Sequence, residues 1–412
     1  MSESSSSDDE NGGSQDQSQA EEQAPKFQRE MHLQYFSWML QELPGAYSSE
    51  ESSRMTLAYF VISALDILGC VDQVAVEDTI AWVYGLQVLP LSADDSSNSA
   101  AQSDDISFGF RGSPSIGIPF SPDGAQPLLY DGGHLAMTYS ALAILTILGD
   151  DFSRVSRETI SKSIRALQQP DGSFSPINMD RQTDLRFIFC AAAICTMLDD
   201  WTGMDRQKAV DYIIRSQSYE GGFGLSPGLE CHGGATYCGL TALWLITQFD
   251  PDWSSSLPLA SLINLQSALD WCLKRQAKNG GFQGRPNKPA DTCYAFWLGG
   301  GLRIFGMDHL CDQKALRTFL LSSQSKWGGF SKFPKEGYPD LLHSYYGVCG
   351  FSLLGEEGLD SLFFGLGLTC RSASRLPAVK RRLADTRLQT DLLRTCPSAQ
   401  LELDFSFSKL RV

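Results

Sequence analysis

A loop motif recurs four times in the central part of the sequence and restricts the possible folds more than any other feature. Each copy ends in a phenylalanine that follows a glycine closely, and the copies occupy residues 169–174, 218–223, 278–282 and 326–330. The segment around Phe110 resembles a degenerate earlier copy. Successive phenylalanines of the four copies are 49, 59 and 48 residues apart. Spacing of this kind is typical of a repeated unit of two structural elements.

Each loop joins two kinds of helical pattern. The helices before the loops are of mixed polarity (154–168, 206–217, 264–276, 311–324), and the helices after them are much more apolar (184–198, 235–248, 291–305, 343–354). One amphipathic and one apolar helix per repeat indicate two concentric layers. We therefore predict an all-α fold in which a double ring of helices closes into an α/α barrel. A linear solenoid is the alternative.

The predicted barrel covers residues 27–355 and is flanked by segments of different composition. The first 25 residues hold seven acidic and no basic side chains, so we predict that residues 1–26 form a disordered acidic tail. A polar, acidic insertion is predicted at about 92–107. The segment 356–412 is basic over much of its length and is predicted to be poorly ordered.

Charge and apolar patterning exclude several classes of protein. The formal net charge of −15 argues against a nucleic-acid-binding protein. The sequence lacks an apolar signal segment and 18 uninterrupted apolar residues, so we expect neither secretion nor a membrane span. Eleven cysteines are scattered without a compact pair, which favours reduced thiols and a cytoplasmic protein.

Polar residues that packing does not require cluster near the starts of the apolar helices. They are His134, Asp184, Arg186, His232, Arg285, Asp291 and His343. In a closed ring the corresponding ends of the inner helices surround one mouth, so these residues are expected to converge. For any one of these residues taken alone, the simpler interpretation is a solvent-exposed side chain that caps the start of its helix.

Three of the residues form a candidate metal site. The carboxylate of Asp291, the thiol of Cys293 and the imidazole of His343 are ligands that suit zinc, and three protein ligands leave a fourth position open. Residues two apart point in nearly opposite directions on a helix, so Asp291 and Cys293 can share a metal only at its N-terminus. A lone cysteine is otherwise most often a small apolar residue.

A second group of side chains is suited to a phosphate. His232, Arg285, Lys288 and Tyr294 combine positive charge with hydrogen-bond donors near helix starts. The alternative to a phosphate site is that these are ordinary solvent-exposed side chains around a loop. Together with an apolar cavity and a zinc ion, the group indicates a lipid diphosphate and a thiol as substrates.

The segment Gly281–Trp297, GFQGRPNKPADTCYAFW, resembles the β subunits of protein prenyltransferases. The similarity extends from about residue 27 to 355. It implies the same α/α barrel, built from prenyltransferase-type repeats, and an obligate heterodimer with a helical α subunit.

The resemblance also implies roles for individual residues. Asp291, Cys293 and His343 match the ligands of one zinc ion per β subunit. His232, Arg285, Lys288 and Tyr294 match the isoprenoid diphosphate site, and Trp297 matches a residue along the lipid. His134 and Arg186 match positions that hold the peptide's C-terminal carboxylate through water. Gln182 stands where the family has a glutamate, four residues before Arg186.

Four further positions resemble the type I geranylgeranyltransferases within that family. Thr56 replaces a tryptophan that closes the lipid tunnel of the farnesyl enzyme. Leu342 replaces a tyrosine, and Phe60 completes the same pocket. Lys332 resembles a lysine that replaces a magnesium-binding aspartate, so we expect no requirement for magnesium and count Lys332 with the zinc ligands as catalytic.

These matches imply that geranylgeranyl diphosphate alkylates a zinc-bound thiolate of proteins ending in Cys-a-a-X. A leucine or phenylalanine is preferred at X, as in Rho- and Rac-type small GTPases. The alternatives are the β subunit of the farnesyl or the Rab-type enzyme, a terpene cyclase, and a non-catalytic scaffold.

Overall fold

The computed structural model describes residues 25–90, 108–114, 132–178, 182–253, 259–335 and 337–384. The predicted acidic tail lies outside this part of the chain except for residues 25 and 26. The predicted insertion at 92–107 and all residues after 384 also lie outside it.

Within the described residues the regular secondary structure is almost entirely helical. In chain order the helices are α1 (Arg29–Gln41), α2 (Arg54–Ile67), α3 (Val76–Tyr84), α4 (Leu135–Leu148), α5 (Arg157–Leu167), α6 (Leu185–Leu198), α7 (Arg206–Ser216), α8 (Gly233–Phe249), α9 (Leu259–Leu262), α10 (Leu265–Leu273), α11 (Tyr294–Ile304), α12 (Gln313–Ser322), α13 (Leu341–Leu353), α14 (Cys370–Ala373) and α15 (Pro377–Ala384). Two short antiparallel hairpins pair β1 (Gln87–Val88) with β2 (Gly109–Phe110) and β3 (Leu362–Phe363) with β4 (Leu368–Thr369).

Six helices form a closed inner ring. Each packs on the next in the order α2, α4, α6, α8, α11, α13, and α13 packs on α2 again. The helices α1, α3, α5, α7, α10 and α12 each pack outside one of them. The inner helix α6 is buried on every side, whereas α5 buries one face, with Ile160, Ile164 and Leu167 at helical spacing. The predicted α/α barrel is confirmed, and the linear solenoid is wrong.

The repeated loops hold neighbouring repeats together through their glycines. Gly221 has φ of 105°, and a Cβ on it would lie 2.1 Å from the carbonyl oxygen of Ser267 on α10. A side chain is therefore excluded both by backbone conformation and by the close approach of the next repeat. In the last copy, a Cβ on Gly328 would lie 2.0 Å from the Met31 carbonyl of α1, so the same contact closes the outer ring.

A glutamine just before each loop adds a second link between repeats. Gln217 accepts a hydrogen bond from the backbone amide of Asn264 and donates to its carbonyl, and Asn264 caps the N-terminus of α10. Gln168, Gln276 and Gln324 make the corresponding pair of bonds to the segments that begin α7, α12 and α1. Sequence analysis missed these glutamines, although they recur at the same spacing as the phenylalanines.

The segment after residue 355 closes the end of the ring opposite the mouth. Its backbone carbonyls at Phe364, Leu366 and Gly367 accept hydrogen bonds from tyrosines of the inner helices, Tyr237, Tyr139 and Tyr59 respectively. The prediction of poor order is wrong for residues 356–384. Apolar side chains from Leu362 to Leu368 fill the floor of the barrel, and basic side chains that were expected to be solvated bind acceptors at helix ends.

Two of those basic residues show the pattern. Arg371 pairs with the buried carboxylate of Asp66 at 2.8 Å. Arg375 donates to the Thr146 carbonyl in the last turn of α4, where the helix dipole favours a positive charge. The basic composition of this segment therefore serves attachment to the barrel.

Candidate active site

The N-termini of the inner helices surround one mouth of the barrel, because the chain enters every inner helix from the same side. The residues that begin five of these helices are His134, Asp184, His232, Cys293 and Asp340. The positive ends of the helix dipoles thus face the mouth, which favours anions there.

The three predicted metal ligands meet at this mouth. One ligand atom each from Asp291, Cys293 and His343 lie within 4.8 Å of one another. The Nε2 atom of His343 is 3.3 Å from Oδ1 of Asp291, close to the roughly 3.3 Å edge of a tetrahedron with ligands at about 2.0–2.1 Å from zinc. Helix α11 begins at Tyr294, so Asp291 and Cys293 lie just before it, as their two-residue spacing requires.

Asp340 holds the imidazole of His343 in place. Its Oδ2 is 2.6 Å from Nδ1 of His343, and its Oδ1 accepts the His343 backbone amide to cap α13. Nδ1 therefore carries the proton, and Nε2 is directed at Asp291. A carboxylate behind a histidine in this way fixes the ring of a metal ligand.

The protonation of the group depends on its burial and on these contacts. Burial lowers the pKa of His343, but the hydrogen bonds with Asp291 and Asp340 outweigh it and raise the pKa to about 9. Burial and the neighbouring charge of Asp291 raise the pKa of the Cys293 thiol well above its usual range. Without metal, both groups therefore hold their protons at neutral pH.

Lys332 lies on the other side of the same carboxylate. Its Nζ is 3.8 Å from Oδ2 of Asp291, and its backbone carbonyl accepts hydrogen bonds from the amide and hydroxyl of Thr292. The lysine is thus attached to the segment that carries the metal ligands, with half of its side chain exposed at the mouth.

The predicted phosphate-binding residues lie on two adjacent helix starts. His232 Nε2 and the hydroxyl of Tyr294 are 2.9 Å apart. Arg285 forms an ion pair with Glu230 at 2.7 Å, so one of its donors is already engaged. Lys288 is exposed on the same loop, where its backbone amide donates to the Arg285 carbonyl. The structure brings His232, Arg285 and Tyr294 together, and Lys288 lies at the edge of this group.

Arg186 and His134 lie farther around the mouth. Arg186 binds both carboxylate oxygens of Asp184, at the start of α6. Burial and the charge of Arg285 lower the pKa of His232, and the charge of Arg186 is close enough to lower it further. The ring of His134 packs edge-on against Phe187, the residue after Arg186, at 6.0 Å. Gln182 is exposed just before this group.

An apolar cavity of about 1270 Å³ opens beside the metal group. Thr56, Phe60 and Leu342 all line it, together with residues of α1 and with Asp340. Trp297 lies on the opposite side of Tyr346, whose ring centre is 4.5 Å from that of Trp297 and 5.7 Å from that of Phe60. Three of the four predicted pocket residues therefore share one cavity with Asp340, the partner of His343, and Trp297 contacts them only through the ring of Tyr346.

Comparison with known proteins agrees with this arrangement. Residues 27–386 match the family described as "Prenyltransferase alpha-alpha toroid domain". The chain belongs to the prenyltransferase family. It is 49% identical to the geranylgeranyl transferase type-1 subunit beta of Arabidopsis thaliana, over 84% of this chain and 90% of the relative. The corresponding subunit of Dictyostelium discoideum is 36% identical over 83% of this chain and 95% of the relative.

A solved structure shows the same fold. The Candida albicans protein geranylgeranyltransferase-I complexed with GGPP superposes on this prenyltransferase with a TM-score of 0.70 at 23% identity, covering 86% of this chain and 99% of that chain. Among the described residues, no helix is long and apolar enough to cross a membrane.

Sequence analysis of this prenyltransferase assigned no role to the acidic residues that position the others. Asp340, Asp184 and Glu230 each hold a histidine or arginine of the mouth. For Asp340 and Asp184 a signal was available, because an acidic residue at a helix start was followed two or three residues later by the group that it binds. The Glu230–Arg285 pair joins residues 55 apart, and no local pattern could reveal it.

Asp340→Asn is expected to weaken metal binding by about 10- to 100-fold, as is usual when the partner behind a metal-bound histidine is lost. The asparagine oxygen can still cap α13, but its NH2 group cannot accept the proton of His343 Nδ1. Competition with a chelator measures the affinity. Asp312→Asn, at the cap of the outer helix α12, is the matched control and should bind metal normally. Unchanged affinity in Asp340→Asn would contradict the assignment.

Metal affinity is expected to rise with pH by up to about two decades per unit between pH 6 and 8. Both Cys293 and His343 have raised pKa values and must lose a proton to bind metal, so each proton released adds about one decade per unit. Zinc titrations at several pH values measure this slope. A slope near zero would show that the two groups do not bind the ion.

Proposed function

We propose that this chain is the catalytic β subunit of a type I protein geranylgeranyltransferase. The reaction transfers the geranylgeranyl group of geranylgeranyl diphosphate to the cysteine thiol of proteins ending in Cys-a-a-X, where X is leucine or phenylalanine. One observation carries the proposal: a three-ligand metal group lies between a cationic cluster and a large apolar cavity. The type I β subunits of two organisms, which align with most of the chain, support it.

The donor set fits zinc. A thiolate, an imidazole and a carboxylate are usual zinc ligands, and three of them leave one position for a substrate thiol. Zinc bound there supplies positive charge that keeps that thiol ionised at neutral pH. The chain contributes the orientation of the ligands, through Asp340 behind His343 and through the Cys293 amide, which donates to Asp291.

The cationic cluster would hold the diphosphate and stabilise it as it leaves. Arg285 and Lys288 supply charge, and Tyr294 and His232 supply hydrogen bonds at the start of α11 and α8. Negative charge grows on the leaving oxygen as its bond to carbon breaks, so donors fixed in advance lower the barrier. Lys332 lies beside the zinc ligands and adds a further positive charge, which removes the need for magnesium.

The apolar surface would select the lipid and the peptide. Thr56 is half-buried, with its hydroxyl 3.2 Å from Ser140, and leaves the cavity open where a larger side chain would fill it. Phe60, Leu342 and Trp297 provide apolar walls. Arg186, fixed by Asp184, and His134 would hold the C-terminal carboxylate of the peptide through water.

The mouth face would also bind the α subunit. Large apolar side chains are exposed on loops and helices of this end of the barrel: Trp38, Tyr219, Leu229, Trp327 and Tyr338. Exposed aromatic residues in such numbers mark a protein interface. We propose that the resulting heterodimer acts in the cytoplasm on Rho- and Rac-type GTPases.

The experiment is co-expression of the chain with a prenyltransferase α subunit, followed by a transfer assay with a Cys-a-a-Leu peptide and geranylgeranyl diphosphate. A one-to-one complex that contains zinc and alkylates the peptide is expected. A peptide with serine in place of cysteine is the control and should not react. A stable zinc-containing complex without transfer would contradict the proposal.

A further inference from the structure

One backbone hydrogen bond recurs between neighbouring inner helices at the mouth. An amide at or next to the start of one inner helix donates to a carbonyl in the loop before the next inner helix, two residues after the loop phenylalanine. The five copies join Met55 to Gly112, Leu135 to Pro176, Leu185 to Leu225, Gly233 to Gly284 and Thr292 to Lys332. These bonds tie the mouth end of the ring together.

The copy at the metal group differs from the other four. Thr292 stands between the proposed ligands Asp291 and Cys293 and is completely buried. Its hydroxyl oxygen is 2.8 Å from the carbonyl oxygen of Ser331 and 3.1 Å from that of Lys332. The corresponding donors of the other copies are methionine, leucine or glycine, which have no hydroxyl. The junction at the metal group therefore has a side-chain bond in addition to the repeated backbone bond.

The hydroxyl of Thr292 bonds away from its own helix. A threonine at a helix start commonly accepts a hydrogen bond from the first amides of that helix. A carbonyl can only accept, so the hydroxyl of Thr292 is the donor, and its hydrogen points to the loop before α13. The hydroxyl thus holds that loop and does not cap α11.

The same loop is attached to the helix that carries the third ligand. The amide of Phe330 donates to the hydroxyl of Ser344 at 2.9 Å, and the Phe330 carbonyl accepts the amide of Asp340 at 3.4 Å. Asp340 in turn holds the imidazole of His343. Residues 330–332 therefore connect the segment that carries two of the ligands with the helix start that carries the third.

We infer that Thr292 is a positioning residue of the metal group, which fixes the ligand segment before α11 relative to the ligand on α13 through residues 330–332. The inference rests on the proposed function and concerns the same site. Thr292 itself contacts neither metal nor substrate in this role. Loss of its hydroxyl leaves a carbonyl of the loop without that donor, so the ligand atoms are held less firmly before a metal binds.

Three substitutions test this role. Thr292→Val removes the hydroxyl and keeps the branched shape, whereas Thr292→Ser keeps the hydroxyl. Thr196→Val is the matched control, because Thr196 is equally buried and its hydroxyl donates to the Ala192 carbonyl at 2.8 Å, in α6 and away from the mouth. Zinc affinity is measured by competition with a chelator on the full-length chain in its complex with an α subunit.

We expect Thr292→Val to bind zinc about 10-fold more weakly than the wild type, at the lower end of the range for residues that hold a metal ligand. Thr292→Ser and Thr196→Val should bind zinc as the wild type does. Normal affinity in Thr292→Val, or an equal loss in Thr292→Ser, would overturn the inference.

Thermal unfolding with and without zinc distinguishes positioning from general destabilisation. In the zinc-free complex, Thr292→Val and Thr196→Val should lower Tm by similar amounts, since each loses one buried hydrogen bond to a backbone carbonyl. The rise in Tm on adding zinc should be smaller in Thr292→Val alone, because weaker binding stabilises the folded state less. If Thr292→Val does not fold, Thr292→Ala gives the same comparison. An equal rise in all variants would contradict the inference.

The zinc measurement also keeps this result separate from the proposed function. Zinc affinity that depends on the Thr292 hydroxyl, in a wild-type complex that alkylates no peptide, would count against the proposed function alone. Transfer by the wild-type complex, together with unchanged zinc affinity in Thr292→Val, would count against the inference alone.

Discussion

His343→Ala is expected to remove the metal and to abolish transfer. The histidine is one of the three proposed ligands, so its loss should weaken metal binding by more than the about 10- to 100-fold that is usual for a residue behind a ligand. The remaining pair cannot compensate, because burial holds the pKa of Cys293 well above its usual range and keeps the thiol protonated. Without metal, a substrate thiol with a pKa of about 8.5 is ionised only to a few per cent at pH 7.

Metal content by mass spectrometry and transfer by the heterodimer measure this effect. We expect about one zinc per wild-type β subunit, as usual for a site with three protein ligands and one open position, and almost none in His343→Ala. His309→Ala is the matched control, since His309 is exposed in the connection between α11 and α12, at the end of the barrel away from the mouth. It should retain metal and activity. Full zinc content in His343→Ala would show that the ligand group is assigned incorrectly.

Thr56→Trp is expected to change the preferred lipid from twenty to fifteen carbons. Thr56 lines the apolar cavity one turn before Phe60 and contacts Ser140 and Met137 of α4. An indole at this position would fill the space for one isoprene unit. Burial of each CH2 group stabilises by about 0.8 kcal/mol, so excluding five carbons should cost about 4 kcal/mol, or roughly 1000-fold in kcat/KM for the longer lipid.

The control for this substitution is Thr56→Val. Valine has nearly the volume of threonine but lacks the hydroxyl that bonds to Ser140. The variant therefore tests whether the size of the side chain or its hydrogen bond determines which lipid is preferred. We expect Thr56→Val to keep the preference for the longer lipid. Competition between the two diphosphates measures the ratio, and a Trp variant with the wild-type ratio would show that Thr56 does not limit the tunnel.

The fold could be predicted from the sequence because its repeat is explicit. Glycine–phenylalanine loops at regular spacing, each between a mixed and an apolar helix, are compatible with few architectures. Closure of the ring was harder to predict than the repeat itself, since it depends on the packing of α13 on α2 and on the contact of Gly328 with Met31. Both contacts join the two ends of the repeat array and leave no local pattern.

The metal group was predictable in part. The two-residue spacing of Asp291 and Cys293 required a helix to begin just after them, and α11 begins at Tyr294. Their meeting with His343, about fifty residues away in sequence, followed from the ring. What could not be predicted is the partner of Arg285, since the Glu230–Arg285 pair arises only when two helix starts lie side by side.

The segment after residue 355 was misjudged for a physical reason. Basic residues in sequence look like a solvated surface, yet Arg371 and Arg375 bind a buried carboxylate and a helix carbonyl. These acceptors come together only when the inner helices assemble. The C-termini of the helices and the carboxylate of Asp66 then lie side by side at the floor of the barrel. Composition alone cannot distinguish a solvated arginine from one that caps a distant helix.

The most direct test of the proposed activity is a competition experiment with the heterodimer. Farnesyl and geranylgeranyl diphosphate are offered together, with peptides ending in Cys-a-a-Leu and Cys-a-a-Met, and the products are separated by mass. We predict geranylgeranyl transfer to the leucine peptide as the dominant product. Dominant farnesyl transfer to the methionine peptide would contradict the type I assignment and the role of Thr56.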